Sequence, residues 1–284
     1  MKREERIGSS DIAGIAGLDT YNTPMSIWMR KMGEGANLDD NDAIWFGNAM
    51  EAIVAQRWAE KNEKQVIRYQ EGMTFSLTDQ PWATATPDYF VDDSILEIKT
   101  TEQYWDNGIP ERVTAQVVWQ MGICGKKHAY VVALGHRRKL LTFEIEFDQA
   151  LFDGLLALAT QFYNEHMLTK IPPKPLRGDD LEYVKSLYQN TIDAELKLDS
   201  HNEAYESILH YETIKEIYAK ASKTLAEAKE QMDLEQAKLR MIMGEHKMAV
   251  CNGRLIQCKE TKRKGFTVAE TTIKTFTIKP LKEK

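Results

Sequence analysis

Two short stretches carry residue types that can act together. They are Thr86-Pro87-Asp88-Tyr89 and, with Glu97 nine positions after the aspartate, Leu96-Glu97-Ile98-Lys99. Over Ile95–Thr101 the apolar Leu96 and Ile98 alternate with Glu97 and Lys99. A strand has period two, so Glu97 and Lys99 share one face. Asp92-Asp93 fits a two-residue turn back to the preceding strand, with paired residue numbers summing to 185. Val91 then faces Ser94, and Asp88 faces Glu97. Directly opposed side chains have Cβ atoms about 4.5–5.5 Å apart. Two carboxylates that close repel unless positive charge lies between them. A Mg²⁺ ion, bound through oxygens with waters retained, meets that need. The Lys99 ammonium, on the same face, can orient an attacking water or stabilise charge growing on a phosphate. The set points to metal-assisted hydrolysis of a phosphodiester. The competing reading is an exposed hairpin with ordinary surface charges. Asp88 alone fits that reading, whereas Glu-Ile-Lys inside an apolar strand fits it poorly.

The surrounding chain must hold these residues. Ser10-Asp11 can cap a helix running into Ile12–Ala16, and Pro24–Met32 reads as a second short helix with Pro24 in its first turn. Phe46, Met50, Ile53, Val54 and Trp58 recur at helical spacing, which predicts an amphipathic helix over Ala43–Asn62. Strand patterns follow at Gln65–Arg68, Gly72–Leu77, Trp82–Thr86 and Ile95–Thr101. Pro110 opens a helix through about Cys124. His128–Leu134 and Leu140–Phe147 read as strands joined by the turn Gly135–Lys139, and Leu151–Met167 as a helix. This order predicts an α/β domain with a central mixed sheet flanked by helices.

Ile171-Pro172-Pro173-Lys174-Pro175 reads as a stiff linker. We therefore expect a first domain over residues 1–170, a linker over 171–180, a helical hairpin with coiled-coil packing over 181–247, and a small basic β module over 248–284. The hairpin rests on near-heptad spacing from Leu181 to Leu198 and from Tyr211 to Ile242, and no Gly or Pro interrupts Asn202–Met243. Within the end module, Ala249–Cys258 and Thr267–Ile278 read as strands.

The 284 residues carry a formal net charge of -6. That weighs against a nucleic-acid partner, because affinity for DNA comes largely from Lys and Arg on phosphates. The distribution offsets it: Lys126, Lys127, Arg137, Arg138 and Lys139 cluster around one strand pair, and the chain from Lys247 onward is basic. Cys124, Cys251 and Cys258 make neither a disulfide framework nor a zinc or iron–sulfur set. The six histidines show no ligand spacing. No apolar run spans a bilayer or follows the basic start as a secretory signal would, so a cytoplasmic protein is expected.

The Pro-Asp…Glu-X-Lys pattern resembles the PD-(D/E)XK nuclease superfamily, and its surroundings resemble the lambda-exonuclease or YqaJ-like viral recombinase branch. Arg3 through Arg6-Ile7-Gly8-Ser9-Ser10-Asp11 is similar to that family's N-terminal "RR…GIGGSD" signature. Phe46-Gly47-Asn48-Ala49-Met50-Glu51 is similar to its "G…E" helix, and Ala115-Gln116-Val117-Val118-Trp119-Gln120-Met121 to its "AQVQ" helix. The resemblance covers roughly Met1–Lys170 and implies a restriction-endonuclease-like core. It implies that Glu51, Asp88 and Glu97 bind Mg²⁺ (or Mn²⁺) with the Ile98 carbonyl, that Lys99 is the catalytic lysine, and that Ser10, Gln116 and Arg3 contact the 5′-terminal phosphate. Arg6 stands where the family usually has glycine, as does Tyr89, and Val118 replaces the second glutamine of "AQVQ". It further implies 5′→3′ degradation of linear double-stranded DNA from its ends, leaving 3′ single-stranded overhangs. A trimeric or tetrameric ring around the DNA and a role in phage recombination beside a single-strand-annealing protein are implied as well. An endonuclease of the same fold and a catalytically silent DNA-end-binding scaffold are the alternatives. By residue type alone, Glu51 reads as a solvated helix acid, Ser10 as a helix cap, and the stripe Arg112, Gln116, Gln120 as a polar surface.

Overall fold

A computed structural model of the protein describes residues 2–34, 41–68, 74–105, 107–135, 138–189 and 193–257. The chain divides into two compact units, Met1–Thr191 and Ile192–Lys284.

The first unit is built around a four-stranded mixed sheet. Its strands are β3 (Tyr89–Val91), β4 (Ser94–Thr100), β5 (His128–Leu134) and β6 (Leu140–Glu146), in that spatial order. β3 and β4 are antiparallel, β4 and β5 parallel, and β5 and β6 antiparallel. A parallel pair needs a crossover, and α4 (Glu111–Cys124) supplies it. A two-stranded pair, β1 (Phe75–Ser76) with β2 (Thr84–Ala85), lies beside it in sequence. The expected α/β class with a central mixed sheet is what the chain adopts.

Period-two alternation sends the two halves of β4 and β5 into different cores. Ile95, Ala129, Val131 and Ala133 pack with α4 residues such as Val117, Trp119 and Met121. Leu96, Ile98 and Val132 pack with Val54, Ala55 and Trp58 of α3 (Asp42–Asn62). On α3 the Asn41 carboxamide oxygen accepts from the N–H groups of Ala43 and Ile44, a side-chain N-cap. Glu63, at φ 52°, ends the helix in the left-handed region. Trp58 donates its indole N–H to Thr142 on β6 at 3.1 Å, which fixes α3 across that face of the sheet.

Around the first core lie α1 (Ser9–Ile15), α2 (Pro24–Lys31) and α5 (Gln149–Phe162), the last continuing as a π-helical turn, Tyr163–Met167. Thr23 caps α2 with Pro24 in its first turn, as the sequence suggests. The start of α1 differs from expectation. Gly8 is the N-cap, and Asp11 reaches back to accept from its N–H at 2.9 Å. Ser10 is therefore no cap; it is an exposed residue of the first turn. The expected strand at Gln65–Arg68 is reduced to one bridge, Ile67 to Phe90. Residues 72 and 73 of the next expected strand, Gly72–Leu77, lie outside the described residues, and Phe75–Ser76 within it is a strand.

The chain after the proline run remains part of the first unit. Asp180, fully buried, accepts from Thr23 Oγ1 at 2.5 Å and from the backbone N–H groups of Leu176 and Arg177. It thereby fastens α6 (Asp180–Leu187), whose Tyr183, Val184 and Leu187 pack on the first core. The sequence reading starts a hairpin arm at 181, but the short helix there is committed to unit one and residues 193–201 are not helical. The second unit, described by itself, contains the 42-residue helix α7 (Asn202–Met243) and an antiparallel pair, β7 (Met248–Cys251) with β8 (Arg254–Gln257). The expected strand over Thr267–Ile278 and most of the basic tail lie outside the described residues.

Candidate active site

The hairpin that presents the carboxylates has the expected register: Val91 opposite Ser94, Phe90 opposite Ile95 and Tyr89 opposite Leu96. Asp92, at φ 52°, makes the turn, a conformation aspartate tolerates better than most residues. Asp88 stands one position before β3, at the height of Glu97. Its Oδ2 accepts from the backbone N–H of Ile98 at 2.8 Å.

Glu97 is 1% exposed and holds three donors. Lys99 Nζ lies 2.5 Å from its Oε1, Gln116 Nε2 donates to the same oxygen at 2.6 Å, and Gln120 Nε2 donates to Oε2 at 2.8 Å. A carboxylate has about four acceptor sites, so close to one remains for a cation. Burial and the Glu97 charge push the Asp88 carboxyl well above the usual carboxylate range, against the opposing pull of Lys99 and the Ile98 N–H. Burial would depress the Lys99 ammonium, but Glu97 and Asp88 outweigh it and hold its pKa above the ordinary value. The lysine is charged at neutral pH.

Glu51, on α3, pairs with Arg68 at 3.1 Å. Burial raises its pKa against the pull of Arg68, with a further upward push from Glu97. It is close enough to sense the other two carboxylates. Among the described residues, however, no three His, Cys, Asp or Glu side chains are gathered tightly enough to share an ion. The oxygen donors that fit a hard divalent cation are the facing Asp88 and Glu97, with Glu51 set back on Arg68.

Asp88, Glu97 and Lys99 line a cleft of 570 Å³. Arg3, Ser10 and Gln116, the residues expected at the terminal phosphate, line the same cleft, with Arg6, Lys31 and Asn48. Lys31 was not singled out in the sequence; it is 8% exposed and pairs with the buried Asp11 at 2.6 Å. Gln120 reads as surface by residue type, yet it is 1% exposed because α4 lies on the face of β4 that carries Glu97. Arg112, the third member of that stripe, stacks over Tyr21 at 5.4 Å and donates to Gln103 at 3.2 Å. Its charge opposes that of Lys99.

Among known proteins, residues 1–127 match the family model described as the YqaJ-like viral recombinase domain. The YqaJ protein of Bacillus subtilis (strain 168) is 28% identical over 245 residues, covering 82% of this chain and 76% of that protein. Similar solved structures include an alkaline exonuclease, LHK-Exo, from Laribacter hongkongensis (TM-score 0.48, 18% identity, 66% of this chain and 95% of that one). Another is a phage-related exonuclease from Haemophilus somnus 129PT (TM-score 0.44, 12% identity, 58% of this chain and 96% of that one). Over its first 127 residues the chain is therefore similar to the YqaJ-like viral recombinase domain.

Proposed function

We propose that the protein is a metal-dependent exonuclease that degrades linear double-stranded DNA from its ends in the 5′→3′ direction, leaving 3′ single-stranded overhangs for phage-type recombination. The observation that carries this reading is the convergence of Asp88, Glu97 and Lys99 with Arg3, Ser10 and Gln116 on one cleft. One half of that set suits a scissile phosphodiester, the other a terminal phosphate.

Asp88 and Glu97 would hold Mg²⁺ (Mn²⁺ as a substitute) with the Ile98 carbonyl, Glu51 being placed to join if Arg68 releases it. An ion held there would supply a water of lowered pKa and neutralise charge on the phosphate. Lys99, fixed on Glu97, holds its ammonium where the water and the phosphate oxygens meet. Gln116 and Gln120 orient Glu97 by occupying both of its oxygens. Arg3 and Ser10 present a guanidinium and a hydroxyl to a 5′-phosphate, a contact an internal phosphodiester cannot make with the same charge. A ring-shaped oligomer and an annealing partner belong to the same proposal.

The test is digestion of linear duplex DNA labelled at either end, beside a closed circle, with Mg²⁺ or with chelator. Loss of 5′ label as mononucleotides from linear DNA, only with metal and with circles intact, supports the reading. Cutting of circles would make the protein an endonuclease, and bound but uncut ends a binding module.

A further inference from the structure

A second cleft of 470 Å³ opens beside α3, away from the carboxylates. Arg57 and Lys61, one helical turn apart, line it from α3; Arg138 and Lys139 line it from the turn between β5 and β6. Among the described residues its lining contains four cations and no carboxylate, in a chain of net charge -6. The floor is apolar, with Ile53 (58% exposed) and Leu140 among its residues. The turn is fixed. Gly135 N–H donates to the Lys139 carbonyl at 2.9 Å, Arg138 N–H donates to the Gly135 carbonyl at 3.1 Å, and Arg138 sits at φ 60°. Glu60 pairs with Arg57 at 3.1 Å between two half-exposed side chains. Such a pair contributes little and yields readily to a stronger anion.

We propose that this cleft is a second nucleic-acid contact, taking adjacent backbone phosphates of the same DNA on its cations and sugar or base on its apolar floor. The inference rests on the nuclease reading above. α3 connects the two clefts: Asn48 lines the catalytic one, and Met50, Ile53 and Arg57 line this one. Asn48 and Arg57 are nine residues apart on α3, about 14 Å along its axis at about 1.5 Å per residue, so one DNA strand can reach both clefts.

The experiment uses the full chain carrying Lys99→Ala, so that DNA survives, with and without Lys61→Ala/Lys139→Ala. Binding to a fluorescent linear duplex is measured by anisotropy across a salt series, with circular dichroism verifying the fold. Each phosphate contact contributes about 0.9 to the slope of log K against log salt. The double variant should therefore lose about two from the slope and bind more weakly. Lys215→Ala/Lys229→Ala on the exposed face of α7 removes the same charge and should change neither. In an otherwise native chain, Lys61→Ala/Lys139→Ala should slow degradation of long duplexes. An unchanged slope in the double variant, or an equal loss in the α7 control, overturns the proposal while leaving the nuclease reading in place. If the native chain neither cuts nor binds linear duplex, the nuclease reading falls and this site with it.

Discussion

Gln120 donates its carboxamide to Glu97 Oε2 at 2.8 Å from a position only 1% exposed, so one buried side chain orients the carboxylate on which Lys99 also rests. Partners that orient a metal-binding carboxylate typically matter by 10- to 100-fold. Gln120→Met should therefore lower the Mg²⁺-supported cleavage rate by about that factor and raise the Mg²⁺ concentration for half-maximal rate. A merely structural role would lower stability and leave the metal dependence where it was, so a titration of rate against Mg²⁺ separates the two.

Asp11 links the cleft to the stability of the unit. Burial alone would raise its pKa, but Lys31 at 2.6 Å, the Gly8 N–H and Arg30 more than offset this, and its carboxyl lies below the ordinary value of 3.8. A carboxyl depressed in the folded state contributes stability that is fully present above 3.8 and is lost as pH falls through its folded value. The gap in unfolding free energy between the native chain and Asp11→Asn should therefore be constant near neutrality and shrink below pH 3.8. A gap unaffected by acid would contradict the assignment. Lys31→Ala removes one of the two cations on the buried acid and leaves it Arg30 at 3.0 Å, so the cost should fall below the about 3–5 kcal/mol of a fully unpaired buried charge.

Gly122 lets α4 approach α5. A Cβ there would fall 2.2 Å from the Phe152 ring, which packs against Trp119 and Phe147 and has little room to retreat. Gly122→Ala should destabilise the first unit by about 1–3 kcal/mol. Urea unfolding checks this, with a midpoint equal to that of the native chain as the contrary result.

Arg3 carries the end preference in the proposed function. The native chain should degrade 5′-phosphorylated ends faster than 5′-hydroxyl ends, and Arg3→Ala should bring the two rates together chiefly by slowing the phosphorylated one. Parallel time courses on the two substrates measure the ratio. An unaltered ratio in the variant removes Arg3 from the phosphate contact.

The hairpin that carries Asp88 and Glu97 was legible in the sequence because its signals are local. Two-residue alternation set the face shared by Glu97 and Lys99, and Asp92-Asp93 set the register, which the structure reproduces at Val91–Ser94. The α4 stripe was not legible. Gln116 and Gln120 have the same residue type and spacing whether they meet water or a buried carboxylate, and only the packing of α4 over β4 decides. Ser10 looked like a cap until the longer reach of Asp11 to Gly8 took that role. α6 looked like the arm of a hairpin because Leu181, Val184 and Tyr188 have heptad spacing. Asp180 instead fastens it to Thr23, more than 150 residues away in sequence, which no local pattern can report.

The central claim is that Asp88, Glu97 and Lys99 form a hydrolytic site, and one comparison tests it most directly. The native chain and Lys99→Ala are each incubated with linear duplex DNA at saturating Mg²⁺, and nucleotide release is followed alongside binding to the same DNA. The account predicts steady release by the native chain and, for Lys99→Ala, binding retained with release reduced by at least a hundredfold, about the contribution of a positioned electrostatic group at a reacting centre. Release by Lys99→Ala at the native rate would contradict it.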